Sequence, residues 1–390
     1  MLNRRHFAKL TVAGLLTGTM ASPVFADAPT DKRFILINLR GAMDGLHALA
    51  PYADSDYHKL RPTLGLGATG TERAVLDLDG SFGLHPALKP LENLYRSKEL
   101  LFVPAVSTQY RQRSHFEAQD MLEGGGSVPY QHNTGWLNRA ILEMGGTPNR
   151  IGLSLGPTIP LIMRGQANIR TWSDSRLPEA DEGFLSRVDA LYQDDPIFHK
   201  AFMQAQQDKA KSAMMGNMRL GNGRLELSTQ AALRILKEKN GPRIAVIEAG
   251  GWDTHYAQER RLTKLFGELA NAISLMKKDL GPLWKDTAIM VVSEFGRTAA
   301  ENGSKGTDHG TGGLALLAGG AVNGGTIRGL WPGLSRVALL DERDLAPANH
   351  LESLFKATLI HHLGLSEAQV EERVFRGLKN IKTMENLYRA

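Results

Sequence analysis

Short apolar, β-branched runs alternate along the chain with longer amphipathic stretches, a rhythm typical of α/β proteins. The apolar runs predict strands over 34–39, 100–106, 151–164, 243–249, 287–293 and 313–318. Apolar residues at helical spacing predict helices over 85–95, 114–123, 135–144, 257–279 and 350–363. Strands that alternate with helices favour a mostly parallel mixed sheet with helices on both faces, a three-layer αβα sandwich.

One long stretch interrupts this rhythm. Residues from about 181 to 240 are polar and helical in pattern, with Met- and Lys-rich segments around 203–218. We expect a helical insertion on the main sheet there, within a single domain that covers 27–390.

The N-terminus is similar to a twin-arginine export signal. Arg4 and Arg5 precede the apolar stretch 10–20, and the segment 22–28 that follows has small residues at the spacing that a signal peptidase accepts. We expect residues 1–26 to be the signal, the twin-arginine translocase to be a partner during export, and the mature chain to be periplasmic or secreted. A basic arm with a short apolar helix is the alternative, and the stretch is too short for a permanent membrane span.

The composition narrows the possible chemistry. The chain has no cysteine, which excludes disulfides and thiolate metal sites, so a metal would need Asp, Glu, His or Asn ligands. No Lys/Arg-rich run with interleaved aromatic residues occurs, so nucleic-acid binding is not predicted.

Metal-ligating residue types follow several predicted strands. Asp44 follows the strand 34–39, Asp253 and His255 follow 243–249, and Glu294 follows 287–293. In open α/β sheets, ligands bind outside the carboxyl ends of the strands. Carboxylates and imidazoles gathered there predict a site for one or two divalent metal ions, with Zn, Ca, Mg and Mn as candidates.

A glycine-rich loop before the strand 313–318 adds two candidates, Asp308 and His309. Asp308 would either ligate the metal or orient His309. Each candidate also has a structural alternative: a turn for Asp44, a helix cap for Asp253, a pair with Arg297 for Glu294, and a solvated turn for His309.

Ser114 is the candidate nucleophile, because the predicted helix 114–123 would stabilise an attacking oxygen at its N-terminus. Glu117 stands three residues later, as in a capping box, so a plain cap serine is the alternative. The forked side chains of Arg113 and Arg297 suit the oxygens of an anionic substrate. Four further histidines are expected to be structural or on the surface: His85, His132, His361 and His362.

Five motifs together resemble a large bacterial family that is exported by the twin-arginine route and labelled as family 1501 of unknown function. They begin at Gly41, Arg113, Gly250, Ser293 and Gly306, and they span the mature chain. The family in turn is similar to the alkaline phosphatase and sulfatase superfamily. That resemblance implies an alkaline phosphatase-like fold, metal-dependent chemistry on phosphate or sulfate esters, and matching roles for Asp44, Ser114, Asp253, His255 and His309.

One position departs from the superfamily pattern. The strand-end Asp-His pair should fall at Glu294–Phe295, and a phenylalanine cannot ligate a metal. The sequence therefore leaves two functions open. One is an exported metal-dependent hydrolase of an anionic ester, and the other is a non-catalytic periplasmic ligand-binding or structural protein on a degenerate fold of the same kind.

Overall fold

The computed structural model describes residues 30–145, 151–156, 158–173, 182–196, 198–200, 202–203, 206, 224–378 and 381–389. The predicted export signal, residues 1–26, lies outside the described residues. No helix in the described part of the chain has the length and apolar character needed to cross a membrane.

Within the described residues, twelve strands form a nine-stranded sheet and a small three-stranded one. The strands are β1 (Arg33–Leu39), β2 (Leu49–Ala50), β3 (Leu76–Asp77), β4 (Gly83–Leu84), β5 (Leu100–Ser107), β6 (Gly152–Leu155), β7 (Ile169–Trp172), β8 (Ile244–Ala249), β9 (Thr287–Val292), β10 (Gly313–Ala318), β11 (Thr326–Ile327) and β12 (Asn349–His350). The large sheet runs β11-β5-β10-β9-β1-β8-β6-β7, and β12 also pairs with β5. Among these strands of the large sheet only β10 is antiparallel to its neighbours.

Helices lie on both faces of this sheet. They are α1 (Gly45–Ala48), α2 (Ser55–Leu60), α3 (Glu92–Arg96), α4 (His115–Gly124), α5 (Trp136–Glu143), α6 (Glu182–Tyr192), α7 (Arg224–Leu236), α8 (Gln258–Leu280) and α9 (Leu351–Ala357). 3₁₀ segments cover Pro86–Leu91, Leu161–Met163 and Gly281–Asp286, and π-helical segments cover Thr358–His362 and Gln369–Val374. The predicted three-layer sandwich with a mostly parallel mixed sheet is confirmed.

The two faces of the central strand belong to two separate hydrophobic cores. In β1, Ile35 and Ile37 pack with α7 and α8 on one face, whereas Phe34 and Leu36 pack with α5 and α9 on the other. All seven residues of β1 are buried, as expected for a parallel strand that is covered on both faces.

The predicted insertion range contains two different kinds of helix. α6 is largely exposed, but α7 packs on the sheet, with Ala232 and Leu236 in the core beside β8 and α8. His362, expected on the surface, is instead 1% exposed and its Nε2 lies 2.8 Å from the carbonyl oxygen of Arg33. The C-terminal segment covers this end of β1, which the local sequence pattern did not reveal.

The strand directions bring distant loops to one edge of the sheet. β1, β8 and β9 are parallel neighbours, so the loops after Leu39, Ala249 and Val292 leave at the same edge. The antiparallel β10 begins at that edge, so the loop before Gly313 also reaches it. Candidate residues from four segments are thereby placed together.

Candidate metal centre

Four side chains converge at this edge: His115, Asp253, His255 and His309. The Nε2 atom of His309 lies 3.0 Å from Nε2 of His115, 3.1 Å from Nε2 of His255 and 3.4 Å from Oδ1 of Asp253. His255 Nε2 lies 2.9 Å from the same carboxylate oxygen. Three imidazole nitrogens and one carboxylate thus face a common point.

Each imidazole is held by its other ring nitrogen. Nδ1 of His115 lies 2.7 Å from Oε1 of Glu294, and Nδ1 of His255 lies 3.1 Å from Oδ1 of Asp308. Nδ1 of His309 lies 3.1 Å from the main-chain carbonyl oxygen of Arg113. These oxygens accept hydrogen bonds, so each Nδ1 carries a proton, and each ring in its neutral form presents an Nε2 lone pair to the others.

This donor set fits a divalent metal ion. Neutral rings would place lone pairs against each other at 3.0–3.1 Å, an arrangement that requires a proton or a cation between them. In a tetrahedral site with ligand bonds of about 2.0–2.1 Å, the ligands stand about 3.3 Å apart. The separations of His309 from the other three donors and of His255 from Asp253, 2.9–3.4 Å, are close to that value, and the ligand atoms of His115, Asp253 and His309 all lie within 4.8 Å of one another.

Ionised carboxylates surround the imidazoles. Burial opposes ionisation of Glu294, which is 1% exposed, but its hydrogen bonds with His115 and with the Gly41 main chain outweigh this and lower its pKa. Burial likewise opposes ionisation of Asp253 and Asp308; the Arg297 guanidinium lowers the pKa of Asp253, and the hydrogen bond with His255 lowers that of Asp308. The pKa of His309 is lowered by burial and by the nearby His115 and Arg297. A neutral imidazole among carboxylates is the state that binds metal.

Arg297 anchors Asp253 from beneath the centre. Its side chain is fully buried, and Nη2 donates to Oδ1 of Asp253 at 2.6 Å. Its Nε and Nη1 atoms have no hydrogen-bond partner among the described residues. Unpartnered buried N–H groups cost free energy, so packing alone does not explain a buried arginine at this position. Its ion pair with Asp253 indicates a role in holding that carboxylate.

Asp44 lies away from this cluster. Its carboxylate is 1% exposed, accepts from Arg61 Nη1 at 2.8 Å and accepts from Gln258 Nε2 at 2.6 Å. Despite its burial, the Arg61 charge lowers the pKa of Asp44. Gln258 in turn accepts hydrogen bonds from Thr254 and Thr307. Asp44 therefore ties together the two loops that carry His255 and His309.

Ser114 and Arg113 stand beside the centre rather than in it. Ser114 is the N-cap residue of α4, but its side chain makes no capping hydrogen bond, and Glu117 accepts from the Tyr110 hydroxyl instead. Arg113 has a positive φ of 62°, and its guanidinium donates to Asp344 at 2.7 Å. The main-chain carbonyl group of Arg113 thus contacts His309, whereas its guanidinium group is paired with the carboxylate of Asp344.

His115 was not among the predicted ligands. It follows Ser114 directly, so its place at the start of α4 was the available signal. Phe295, where the resemblance implied a ligand, stacks on His115 with ring centroids 4.9 Å apart and is 3% exposed. The aromatic ring therefore supports the imidazole that completes the set.

Two loops meet closely behind His255. A Cβ atom added at Gly306 would lie 2.3 Å from the carbonyl carbon of His255 and 2.6 Å from the nitrogen of Tyr256. Only a glycine leaves room for this approach. It keeps the loop with Asp308 and His309 against the loop with Asp253 and His255.

A second group, made of His47, His85 and Glu259, also brings metal-ligating atoms together. Nδ1 of His85 accepts from the Ala87 main chain at 3.1 Å, so the neutral ring carries its proton on Nε2, toward Glu259. Arg73 donates to the same Glu259 carboxylate. The Glu259 carboxylate thus already has a cation, Arg73, although both ring nitrogens of His47 lack a hydrogen-bond partner among the described residues.

The comparisons with known proteins give a family. The family model described as a protein of unknown function (DUF1501) matches residues 31–377, and the chain belongs to that family. No curated protein sequence matches the chain.

Several solved structures are similar at low identity. The lipoteichoic acid synthase LtaP from Listeria monocytogenes is 9% identical with a TM-score of 0.41, over 92% of this chain and 77% of that one. The periplasmic domain of EptC from Escherichia coli is 10% identical with a TM-score of 0.41, over 92% and 90%. A phosphonate monoester hydrolase of Agrobacterium radiobacter is 10% identical with a TM-score of 0.37, over 86% and 74%. Likenesses of this degree carry no inference about activity.

Proposed function

We propose that the chain is an exported metal-dependent hydrolase of phosphate or sulfate esters. The observation that carries the proposal is the convergence of three Nε2 lone pairs on the Asp253 carboxylate, with every Nδ1 held by an oxygen. Of the two groups of metal-ligating residues among the described residues, this one stands at the carboxyl edge where α/β proteins bind ligands.

The types of donor atom limit which metal ions the site can be expected to bind. Imidazole ligands suit zinc and related transition ions, whereas calcium and magnesium favour sites built only from oxygen. We therefore propose one zinc-like divalent ion, held by His115, Asp253, His255 and His309. Such an ion, when bound, would act as a Lewis acid that neutralises negative charge on the ester oxygens.

The remaining candidate residues orient the four proposed metal ligands and do not bind the metal themselves. Glu294 and Asp308 fix the ring orientation and proton position of His115 and His255. Arg297 keeps Asp253 ionised, and Asp44 holds the loops through Gln258. Each is a positioning residue, and Arg113 positions His309 through its carbonyl group.

The degree of exposure favours a substrate site over a closed structural one. The side chains of His115, His309, His255 and Asp253 are 28%, 27%, 42% and 43% exposed. Structural zinc sites are closed, whereas catalytic sites remain accessible to a substrate. Phe295 cannot bind a metal, but His115 lies against it and supplies an imidazole to the proposed set of metal ligands.

Ser114 is the proposed nucleophile. It stands between Arg113, whose carbonyl group holds His309, and His115, and it begins a ten-residue helix. Its Oγ would form a bond to phosphorus or sulfur while the bond to the alcohol oxygen breaks, and the hydroxyl proton would leave with the alcohol. Water would then release phosphate or sulfate and restore the serine.

The test combines metal content with turnover. We expect about one equivalent of zinc or a similar ion in the mature protein and hydrolysis of chromogenic phosphate or sulfate esters. Ser114→Ala should abolish turnover with metal content unchanged, whereas Ser335→Ala, at an exposed serine, should change neither. Retained turnover in Ser114→Ala would make water the nucleophile.

The non-catalytic alternative makes a different prediction for the same samples. A wild-type protein that contains the metal but hydrolyses no ester would favour the non-catalytic alternative over the hydrolase. A wild-type protein without divalent metal would overturn the centre itself.

Export is proposed from the leader. Replacement of Arg4 and Arg5 by lysine should leave the precursor in the cytoplasm, whereas the reverse exchange at a nearby position, Lys9→Arg, should not. Unchanged periplasmic yield of the double lysine variant would exclude the twin-arginine route.

A further inference from the structure

A polar cavity of about 380 Å³ opens beside the metal centre. It is in the size range of small-molecule sites, about 300–1,000 Å³. Phe116 lines it and directly follows His115, and Arg40 lines it and precedes Gly41, whose N–H donates to Glu294 at 2.8 Å. Phe116 is therefore adjacent in sequence to a proposed metal ligand. Arg40 is adjacent to a residue that contacts Glu294, the carboxylate that orients the same ligand.

The floor of the cavity carries buried polar atoms without partners. Gln119 and Glu123 are one turn apart on α4 and are 6% and 3% exposed. Within the described chain, neither Nε2 of Gln119 nor Oε1 of Glu123 has a hydrogen-bond partner. The other oxygens of these two side chains are used, by Asn38 and by the Ile162 main chain. The Nε2 donor of Gln119 thus remains for a ligand, whereas Oε1 of Glu123 faces Nη1 of Arg40 at 3.5 Å.

The charges around the cavity are of both signs. Asp120, Glu123 and Glu248 line it together with Arg40 and Arg164, and Arg40 is paired with both Glu248 and Glu123. Burial and the neighbouring Glu248 raise the pKa of Glu123 to about 7, so this side chain both donates and accepts near neutral pH. A charged ligand would meet a like charge here, whereas neutral hydroxyl groups match the donors and acceptors.

The rim supplies two exposed aromatic rings. Phe116 is 82% exposed and Tyr130 is 66% exposed, and both line the cavity. Large exposed aromatic side chains add little to the stability of a fold and are typical of binding surfaces. Their flat faces match the C–H faces of a sugar ring, whose hydroxyl groups would reach the floor.

We propose that this cavity binds a neutral sugar group, the alcohol part of the ester that the metal centre hydrolyses. The assignment of that sugar as part of an ester rests on the proposed function. The binding of the sugar does not, and it can be measured by itself.

The test is saturation-transfer NMR on the mature protein as purified. The probes are the methyl glycosides of glucose, galactose, mannose and N-acetylglucosamine, with choline and succinate as charged probes. We expect at least one glycoside to bind, and Phe116→Ala and Gln119→Leu each to weaken its Kd at least tenfold. Phe198→Ala removes an exposed phenylalanine that does not line the cavity and should leave the Kd unchanged.

Binding of no glycoside, or binding that all three variants retain, would overturn the proposal, as would binding of choline or succinate alone. Phe116 and Tyr130 are exposed, so Tyr130→Ala provides a second variant that does not disturb the core. Ester turnover and metal content play no part in this readout. Failure of the hydrolase proposal and failure of the sugar site are therefore separate results.

Discussion

The ring of His309 and the main chain of Arg113 are joined across 196 residues of sequence by a 3.1 Å contact from Nδ1 to the carbonyl oxygen. Arg113 adopts a φ of 62°, which is uncommon for a residue with a side chain, and Asp344 and Asp341 hold its guanidinium. Backbone strain of this kind persists where the surroundings enforce it, and it often stands at functional sites.

The conformation of Arg113 predicts an unusual order of stabilities. Arg113→Ala and Arg113→Gly both lose the ion pair with Asp344, but only glycine adopts a positive φ without strain. We expect Arg113→Gly to be more stable than Arg113→Ala by roughly 1 kcal/mol in urea unfolding. Both should retain metal, because His309 contacts the backbone. Equal stabilities would show that the positive φ carries no strain.

His115, which the sequence did not predict as a ligand, and Asp44, which it did, should give opposite phenotypes. His115→Ala should lower metal content, because a donor that lies within 4.8 Å of those of Asp253 and His309 is lost. Asp44→Asn should leave metal content nearly intact but destabilise the fold by roughly 3 kcal/mol, because the buried charge of Arg61 loses its partner. Elemental analysis and urea unfolding of both variants check this. Loss of metal in Asp44→Asn with unchanged stability would assign Asp44 to the centre.

The contact behind His255 predicts a difference between two glycines of one loop. Gly306→Ala would drive a Cβ atom into the main chain of His255 and Tyr256, so we expect loss of metal and lower stability. Gly303→Ala is the matched control, because a Cβ atom there meets nothing within 4 Å. Elemental analysis and thermal unfolding of the pair measure the effect. Equal behaviour of the two variants would mean that the loops separate freely.

The buried His362 predicts acid sensitivity. Burial lowers its pKa to about 4, against about 6.5 in an unfolded chain. A depressed pKa means that the unfolded state binds more protons, so this contribution is complete above pH 6.5 and is lost as the pH falls toward 4. We expect a flatter decline of the urea midpoint between pH 6.5 and 4 in His362→Gln. His361→Gln, at the exposed neighbour, should decline like the wild type.

The strands and the main helices followed from the sequence, because their signal is local. The apolar runs at 34–39, 243–249 and 287–293 became β1, β8 and β9 within a residue or two, and the helix predicted over 257–279 is α8. The pattern at 350–363 was helical, but it continues from α9 as a π-helical segment that hydrophobic spacing does not distinguish.

The residues of the candidate centre were only partly accessible to the same reasoning. Asp253, His255 and His309 were predicted to lie near one another, and they do. His115 was not predicted as a ligand and Asp44 was, because the role of each depends on which partner its side chain meets. The partners, Glu294 and Arg61, are 179 and 17 residues away.

The sequence by itself determined the alternation of strands and helices, the exclusion of thiolate chemistry, and the residue types available at the strand ends. Those properties depend on composition and on periods of two to four residues along the chain. The tertiary structure decided which of these side chains share one point, since pairing order and the antiparallel β10 bring the loops together. A set of metal ligands is defined by distances in space. Contacts between residues that are far apart along the chain produce no periodic pattern in the sequence.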